Sequence, residues 1–528
     1  MYLLLTVFVA GMTSLGVELA GARLLDPFFG NSLIIWANLI GLVLIYLSVG
    51  YWLGGRWADR DPRFSTLYQI TAWAAFAVGL IPFVSPPILR WSVLGFANLD
   101  AGILVGSLLG VLLLFSLPMT LLGCVSPFAI RLAVREVERS GQVAGSIYAL
   151  STVGSILGTF LPVLVLIPNV GTRRTFVLLS VGLLSVSLVG LWRQAPRRSL
   201  IYLPMLIIVV ALGLLAGAGP IRADANTVFE TESPYNYIRV EQRGDSYWLR
   251  LNDGIGIHSV YNPHTVLSNG IWDYFLIAPY FNAAPYPPDR VDSLLLIGLA
   301  AGTVARQHSV IYGAIPIDGV EIDPRIIEVG RQWFAMDQPN LNAVAADGRY
   351  YLAHTDRTYA VIAVDAYRPP YIPFHLTSLE FFEQVRHHLT PEGVVAINAA
   401  RSERDYSLVN ALASTMKAVF PSVYVLDEPG YGGFTGNSLV IATLQPTRAA
   451  NLAANALYLE HPLLKEVVER ALTARLWEVR CADGVAWLPA SPASLGSPVA
   501  ACVTPLSDDL APVEHLAHQL ILRYLLEQ

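Results

Sequence analysis

Between residues 294 and 365, four apolar runs each end in a residue suited to chemistry. Leu294-Leu-Leu-Ile297 runs into Gly298-Leu-Ala-Ala-Gly302-Thr303, and Gly319-Val320 into Glu321-Ile-Asp323-Pro324. Ala345-Ala346 runs into Asp347-Gly348-Arg349, and Val361 to Val364 into Asp365. Carboxylates accept hydrogen bonds from hydroxyl and amino groups, or take a proton from a nucleophile. Ligands of open parallel α/β sheets bind at the C-terminal ends of the strands, where these acids fall. The pattern reads as a nucleoside-cofactor site.

The elements that must position these groups follow from local chemistry. Leu294 to Ile297 is a continuous apolar run, the mark of a strand buried on both faces, and Gly298 and Gly302 let the backbone approach a ligand at a helix N-terminus. Glu321 follows Gly298 by 23 residues, about where doubly wound folds place the acid that holds ribose hydroxyls. A dinucleotide fingerprint, G-x-G-x-x-G, is incomplete here, which weakens a dehydrogenase reading. A looser loop suits S-adenosyl compounds, which lack a pyrophosphate. Plainer alternatives exist: Asp323 before Pro324 can simply cap a helix, and Asp347-Gly348 can simply make a turn.

Val320-Glu321-Ile-Asp323-Pro324, Asp347-Gly348-Arg349 and the strand-end Asp365 together resemble spermidine synthase, the aminopropyltransferase that uses decarboxylated S-adenosylmethionine. Glu232-Ser-Pro-Tyr235 through Asp253-Gly254 resembles that family's small N-terminal β domain, two alternating strands around an Arg243-Gly-Asp turn. Leu506-Ser-Asp508-Asp509-Leu-Ala-Pro512-Val-Glu514 resembles a segment of the family's membrane-fused branch. The resemblance implies a transfer in which an amine attacks the carbon beside a sulfonium. Asp365 would be the base, Glu321 would hold the ribose and Asp347 the adenine amino group, with Gly298, Gly302 and Gly348 shaping the pocket.

Some positions depart from the family. Ala301 stands where the glycine loop normally carries an aspartate, Arg368 where a second aspartate grips the polyamine, and Ile257 or His258 where a glutamine is expected. An arginine repels a cationic acceptor, so the adenosyl pocket is better kept than the polyamine pocket. His258, Tyr367 and Arg368 are the candidate acceptor-binding residues, with Trp272, Tyr274, Tyr371 and His375 as further aromatic lining.

Composition divides the chain. Of 528 residues, 54% are hydrophobic and 14% charged, and mean hydropathy is +0.50, high for a soluble protein. The excess sits in seven stretches: 2 to 22, 33 to 54, 67 to 88, 102 to 123, 144 to 167, 175 to 192 and 199 to 217. Most approach the roughly 20 residues that span a bilayer. The first lacks a basic leader and runs on into more apolar helix, so it is not a cleaved signal. The predicted architecture is an α-helical multi-pass membrane domain (1–217), a small β domain (218–285), and a doubly wound, methyltransferase-type Rossmann-like domain (286–528). Gly106/Gly110 and Gly154/Gly158 allow close helix packing. Glu18, costly inside a spanning helix, has Arg23 as its nearest partner in sequence.

The most basic loops, Arg56/Arg60/Arg63, Arg131/Arg135/Arg139 and Arg193/Arg197/Arg198, fall on one side by alternation. The positive-inside rule makes that side cytoplasmic. Seven spans would then put the C-terminal domain outside, where Cys481 and Cys502 could pair. Adenosyl cofactors are cytosolic, however, and a re-entrant stretch at 101 to 132, broken by Pro118 and Pro127, would reverse the assignment. The expectation is therefore a cell-membrane protein with its soluble domain in the cytoplasm.

The scattered cysteines form no metal motif. A net charge of -6 with two lysines, Lys417 and Lys465, argues against nucleic acid. The expected partners are a small amine acceptor and the lipid bilayer, with a homodimer possible. The leading expectation is a membrane-integral transferase using decarboxylated S-adenosylmethionine. Its alternatives are a methyltransferase using S-adenosylmethionine on a membrane-delivered acceptor, and a transporter or sensor whose domain binds the nucleoside without turnover.

Overall fold

The computed structural model describes residues 1–29, 33–96, 102–216, 226–252, 256–367, 372–402, 405–428, 436–480, 488–489, 502–513 and 516–517. The chain separates into two compact units: Met1–Ala225 with Glu230–Tyr237 and Asn252–Gly254, and Asn226–Phe229 with Ile238–Leu251 and Ile255–Gln528.

In the first unit every apolar stretch is helical over its described residues. The helices are α1 (Tyr2–Phe29), α2 (Leu33–Arg60), α3 (Phe64–Phe96), α4 (Gly102–Gly123), α5 (Val125–Ala133), α6 (Ser140–Leu161), α7 (Ile167–Gln194) and α8 (Pro196–Ala216). Among the described residues, five segments are long and apolar enough to cross a membrane. The last of them, Val137–Gln194, holds both α6 and α7.

Side-chain register gives the direction of each helix. A Cβ on Gly154 would meet the Phe8 carbonyl and one on Gly158 the Met12 carbonyl, so α1 and α6 run parallel and touch backbone to backbone, which only small residues permit. Gly16 meets Leu179 while the Tyr2 hydroxyl donates to the Val186 carbonyl at 2.6 Å, so α7 runs against α1. The chain therefore reverses within the first turn and a half of α7, at a kink where Gly171 has φ 82°, a value L side chains rarely adopt. Asn38 donates to Ser107 at 2.9 Å, and Gly50 lies against Thr120. Arg131 reaches Asp59 at 3.1 Å, so α4 and α5 follow α2 in one direction throughout. The described part of the stretch, 102 to 132, does not fold back, despite Pro118 and Pro127.

The two ends of this bundle differ in their polar contacts. At one end Arg131 meets Asp59, and Arg193 lies 4.5 Å over the Tyr2 ring. At the other, Arg23 pairs with Asp26 at 3.1 Å and donates to the carbonyls of Ser233 and Tyr235. There Glu232 also accepts from the Thr172 amide at 3.0 Å and its hydroxyl at 2.6 Å. Arg23 thus turns to Asp26 rather than to Glu18, and Glu18 makes no ion pair among the described residues.

A four-stranded sheet follows, in the order β1 (Thr227–Glu232), β2 (Tyr237–Arg243), β3 (Ser246–Leu251), β4 (Ser259–Tyr261). The β2–β3 hairpin closes with Arg243 opposite Ser246 across Gly244, whose φ is 59°. Alternation sends Ile238, Val240, Leu249 and Leu251 to one apolar face, where they pack with Ala301, Ile326 and Val329.

The second unit is built on a nine-stranded sheet. Its strands are β5 (Leu294–Ile297), β6 (Ile317–Glu321), β7 (Leu341–Ala345), β8 (Tyr359–Val364), β9 (Leu389–Arg401), β10 (Ser422–Asp427), β11 (Gly436–Thr443), β12 (Leu476–Glu478) and β13 (Leu488–Pro489). Their order is β13-β12-β10-β11-β9-β8-β5-β6-β7, with β7-β6-β5-β8-β9 parallel and the rest antiparallel. This is the doubly wound, methyltransferase-type arrangement. The sequence of strands reverses at β5, where such sheets open a binding crevice. Leu294 and Leu296 enter one hydrophobic cluster and Leu295 and Ile297 another, so β5 is buried on both faces.

Candidate active site

The glycine loop sits at the end of β5. Gly298 has φ 90° and Gly302 φ 88°. A Cβ on Gly298 would lie 2.5 Å from the Asp365 carbonyl, and one on Gly302 2.7 Å from the Met336 side chain. The two positions thus need glycine for both conformation and space. Gly302 leads into the helix Thr303–Tyr312. Gly348 opens the helix Gly348–His354, and a Cβ there would strike the Ile297 side chain.

Glu321 ends β6 and is 8% exposed. It accepts from the Ala300 amide at 2.9 Å and the Asp323 amide at 3.2 Å. Burial outweighs those bonds and pushes its carboxyl up to about 7. Asp323 caps the helix Pro324–Trp333 by accepting from the Arg325 amide at 3.0 Å, the plainer role considered for it.

Asp347 caps the helix after β7 by accepting from the Tyr350 amide at 3.0 Å. Its second oxygen lies 2.9 Å from His375 Nε2. That contact, ahead of opposing burial, holds the carboxyl below its ordinary range. Each carboxylate oxygen has two acceptor sites, so Asp347 retains room for a ligand amino group.

Asp365 follows β8, and its amide donates to the Ile297 carbonyl at 2.8 Å, which fixes it beside Gly298. Trp272 Nε1 donates to one carboxylate oxygen at 2.8 Å and Asn398 Nδ2 to the other at 2.9 Å. Burial raises this carboxyl to about 6 against those two donors. Trp272 is itself held by its neighbour. Asp273, fully buried, accepts from the Ser268 amide (2.8 Å), the Asn269 amide (2.9 Å), Gln307 (2.7 Å) and Arg470 (2.5 Å). The arrangement presents a poised carboxylate on a fixed backbone beside the glycine loop, chemistry that suits a general base.

The acceptor-side candidates divide. The amide of His258 donates to the Leu249 carbonyl at 2.8 Å. Its buried Nε2 has no partner among the described residues. Burial, then the nearby Arg250, lowers the ring to about 4, so it is neutral at pH 7. The Tyr367 hydroxyl accepts from the Ala400 amide at 2.5 Å, which ties it to β9. Tyr274 is a core residue, 1% exposed. Arg368 and Tyr371 lie outside the described residues. Sequence reasoning missed Asn398 and Asp273, because nothing local marks a residue that serves a site 33 or 92 positions away.

Residues 262–442 match the family model described as the spermine/spermidine synthase domain. The chain is similar to a probable polyamine aminopropyl transferase of Bifidobacterium longum, 37% identical over 199 residues, covering 37% of this chain and 43% of that protein. It is similar to the polyamine aminopropyltransferase of Vibrio vulnificus, 29% identical over 162 residues, covering 30% and 51%. It is also similar to the eEF1A lysine and N-terminal methyltransferase of Homo sapiens, 34% identical over 146 residues, covering 25% and 21%. The chain spans about half or less of the length of these relatives. By sequence, residues 262–442 of this chain are similar to a spermine/spermidine synthase domain, and they follow a region of long apolar helices.

Proposed function

We propose that this protein is a membrane-integral, spermidine synthase-like transferase that moves an aminopropyl group from decarboxylated S-adenosylmethionine to an amine acceptor. In this reading Gly298, Gly302, Glu321, Asp347 and Gly348 hold the nucleoside, and Asp365 takes the proton from the attacking amine. The single observation that carries it is Asp365, raised to about 6 and fixed by Trp272 and Asn398 beside Gly298. A base must be ionised near neutral pH yet basic enough to take a proton. His258, Tyr367 and Arg368 remain the proposed acceptor side, and 1–217, 218–285 and 286–528 the proposed domains.

The methyltransferase similarity supports a second reading, transfer of a methyl group from S-adenosylmethionine. Purified full-length protein in detergent, assayed with each cofactor and an amine panel, separates the two. Turnover is expected with the decarboxylated form. Methyl transfer alone would replace the first reading with the second, and binding without turnover of either would leave a nucleoside sensor.

Membrane insertion is supported by the apolar helices. Two observations support an orientation opposite to the cytoplasmic one expected from cofactor supply. Arg131 and Arg193 lie at the end of the helical bundle opposite the one where Arg23 meets Ser233 and Tyr235, and the loops that carry Arg56/Arg60/Arg63, Arg131/Arg135/Arg139 and Arg193/Arg197 are the richest in arginine, the kind that stay in the cytoplasm. Cys502 is disulfide-bonded, which fits an oxidising compartment; Cys481 lies outside the described residues. A reporter enzyme fused after Gln528 is expected to be active only outside the cytoplasm. Activity only inside would restore the cytoplasmic placement. An outside domain requires the S-adenosyl compound to cross the bilayer.

A further inference from the structure

The tail motif Leu506-Ser-Asp508-Asp509 lies beyond the matched residues 262–442, yet it reaches the candidate site. Leu506 and Val513 are buried, at 4% and 0% exposure, and anchor the tail in the apolar core. The Leu506 amide donates to Thr415 Oγ1 at 2.9 Å, and its carbonyl accepts from the Leu379 amide at 2.8 Å. Between these anchors Asp508 is presented to Arg349. Its two oxygens accept from Nη1 at 2.6 Å and Nη2 at 2.8 Å, the forked geometry that fixes a guanidinium in both position and plane. Ser378 Oγ donates to the same carboxylate at 2.6 Å, and the Asp508 amide donates to Glu380 at 3.0 Å.

Arg349 is next but one to Asp347. Its Nη1 also donates to the His375 carbonyl at 3.1 Å, while His375 Nε2 lies 2.9 Å from Asp347 Oδ2. A continuous line of polar contacts thus runs from the tail through Arg349 and His375 to Asp347. We propose that residues 506–510 form a strap that sets the position of Asp347, making Asp508 a positioning residue for the purine end of the S-adenosyl ligand. This rests on the reading above that Asp347 meets the adenine amino group.

The geometry says what the strap does. Asp508 is not aimed at a ligand; it holds Arg349, which holds the backbone of the loop that carries His375. The Asp508 side chain is 41% exposed and that of Arg349 19%, so solvent screens the pair and its worth to overall stability is small. Its effect is directional. Without Asp508, Arg349 keeps only the Gln384 Oε1 contact at 3.3 Å and the His375 carbonyl, so its guanidinium can turn, and the Asp347 carboxylate is less firmly held toward one acceptor direction.

The test measures binding by calorimetry to the full-length protein in detergent, with S-adenosylhomocysteine and its inosyl analogue, which carries an oxo group in place of the 6-amino group. Asp508→Ala is expected to weaken the adenosyl probe about tenfold, the usual scale for one misplaced charged hydrogen bond. The inosyl probe, which lacks the 6-amino donor and presents a carbonyl there instead, is expected to change less than about threefold on the same scale. Asp508→Asn, which preserves shape and the Ser378 contact, is expected to fall between, and it guards against loss of fold. If the chain proves to be a transferase, the loss appears in KM with kcat unchanged. Equal losses for both probes would mean that the tail acts only on general stability, and unchanged affinity for both would remove the strap. Wild-type protein that binds neither probe would instead defeat the S-adenosyl reading itself.

Discussion

Asp365→Asn is expected to lower turnover by roughly 10² to 10⁴, the usual worth of a positioned base, while leaving the fold and nucleoside affinity near wild type. The amide keeps the size of the carboxylate and can still accept from Trp272 or Asn398, so the loss isolates proton transfer. The pH profile should agree. Asp365 acts in its ionised form and burial lifts it to about 6, so kcat/KM is expected to fall as pH drops through 6. Trp272→Phe removes a donor that stabilises the ionised form. The acidic limb of the profile should then move to higher pH, because losing that bond raises the carboxyl further. Steady-state kinetics between pH 5 and 8 measure both effects. An Asn variant that keeps more than a tenth of wild-type turnover would remove Asp365 as the base.

Glu321→Ala should weaken S-adenosyl binding by roughly 10- to 100-fold, since a charged hydrogen bond to each of two ribose hydroxyls is lost. The pH dependence has a definite sign. Burial raises the Glu321 carboxyl from 4.5 to about 7 in the folded protein. For the unliganded chain this contributes stability that is present below pH 4.5 and is lost as pH rises through 7. Ribose hydroxyls donate to the ionised form, so ligand affinity runs the other way and grows as pH rises through 7. Calorimetry at pH 6 and pH 8 should show tighter binding at pH 8 for wild type and no difference for Glu321→Gln. A pH-independent wild-type affinity would mean that ligand does not meet this carboxylate.

The acceptor side was the least legible part of the site. Tyr367, chosen for its place after Asp365, spends its hydroxyl on the Ala400 amide of a neighbouring strand. Trp272, one aromatic among several in the sequence, instead touches the candidate base directly. An aromatic side chain gives no sign in sequence of whether its polar tip meets a ligand, a backbone group or another side chain. That depends on which strand packs beside it.

What the sequence determined by itself was what local chemistry fixes. Runs such as Leu294 to Ile297 must be buried on both faces, Gly298 and Gly302 permit positive φ, and strand-end acids at 321, 347 and 365 must gather along one edge if the strands are parallel. Apolar lengths likewise fixed which segments become long helices, because burying about 20 apolar residues needs no particular partner. Tertiary structure alone decided the long-range partners: Trp272 and Asn398 for Asp365, His375 for Asp347, Asp508 for Arg349 and Asp26 for Arg23. It also decided helix direction, through contacts such as Gly154 on Phe8 and Gly16 on Leu179. Hydropathy is the same read in either direction along a helix, whereas packing is not, so only the register could show that residues 102 to 132 do not turn back.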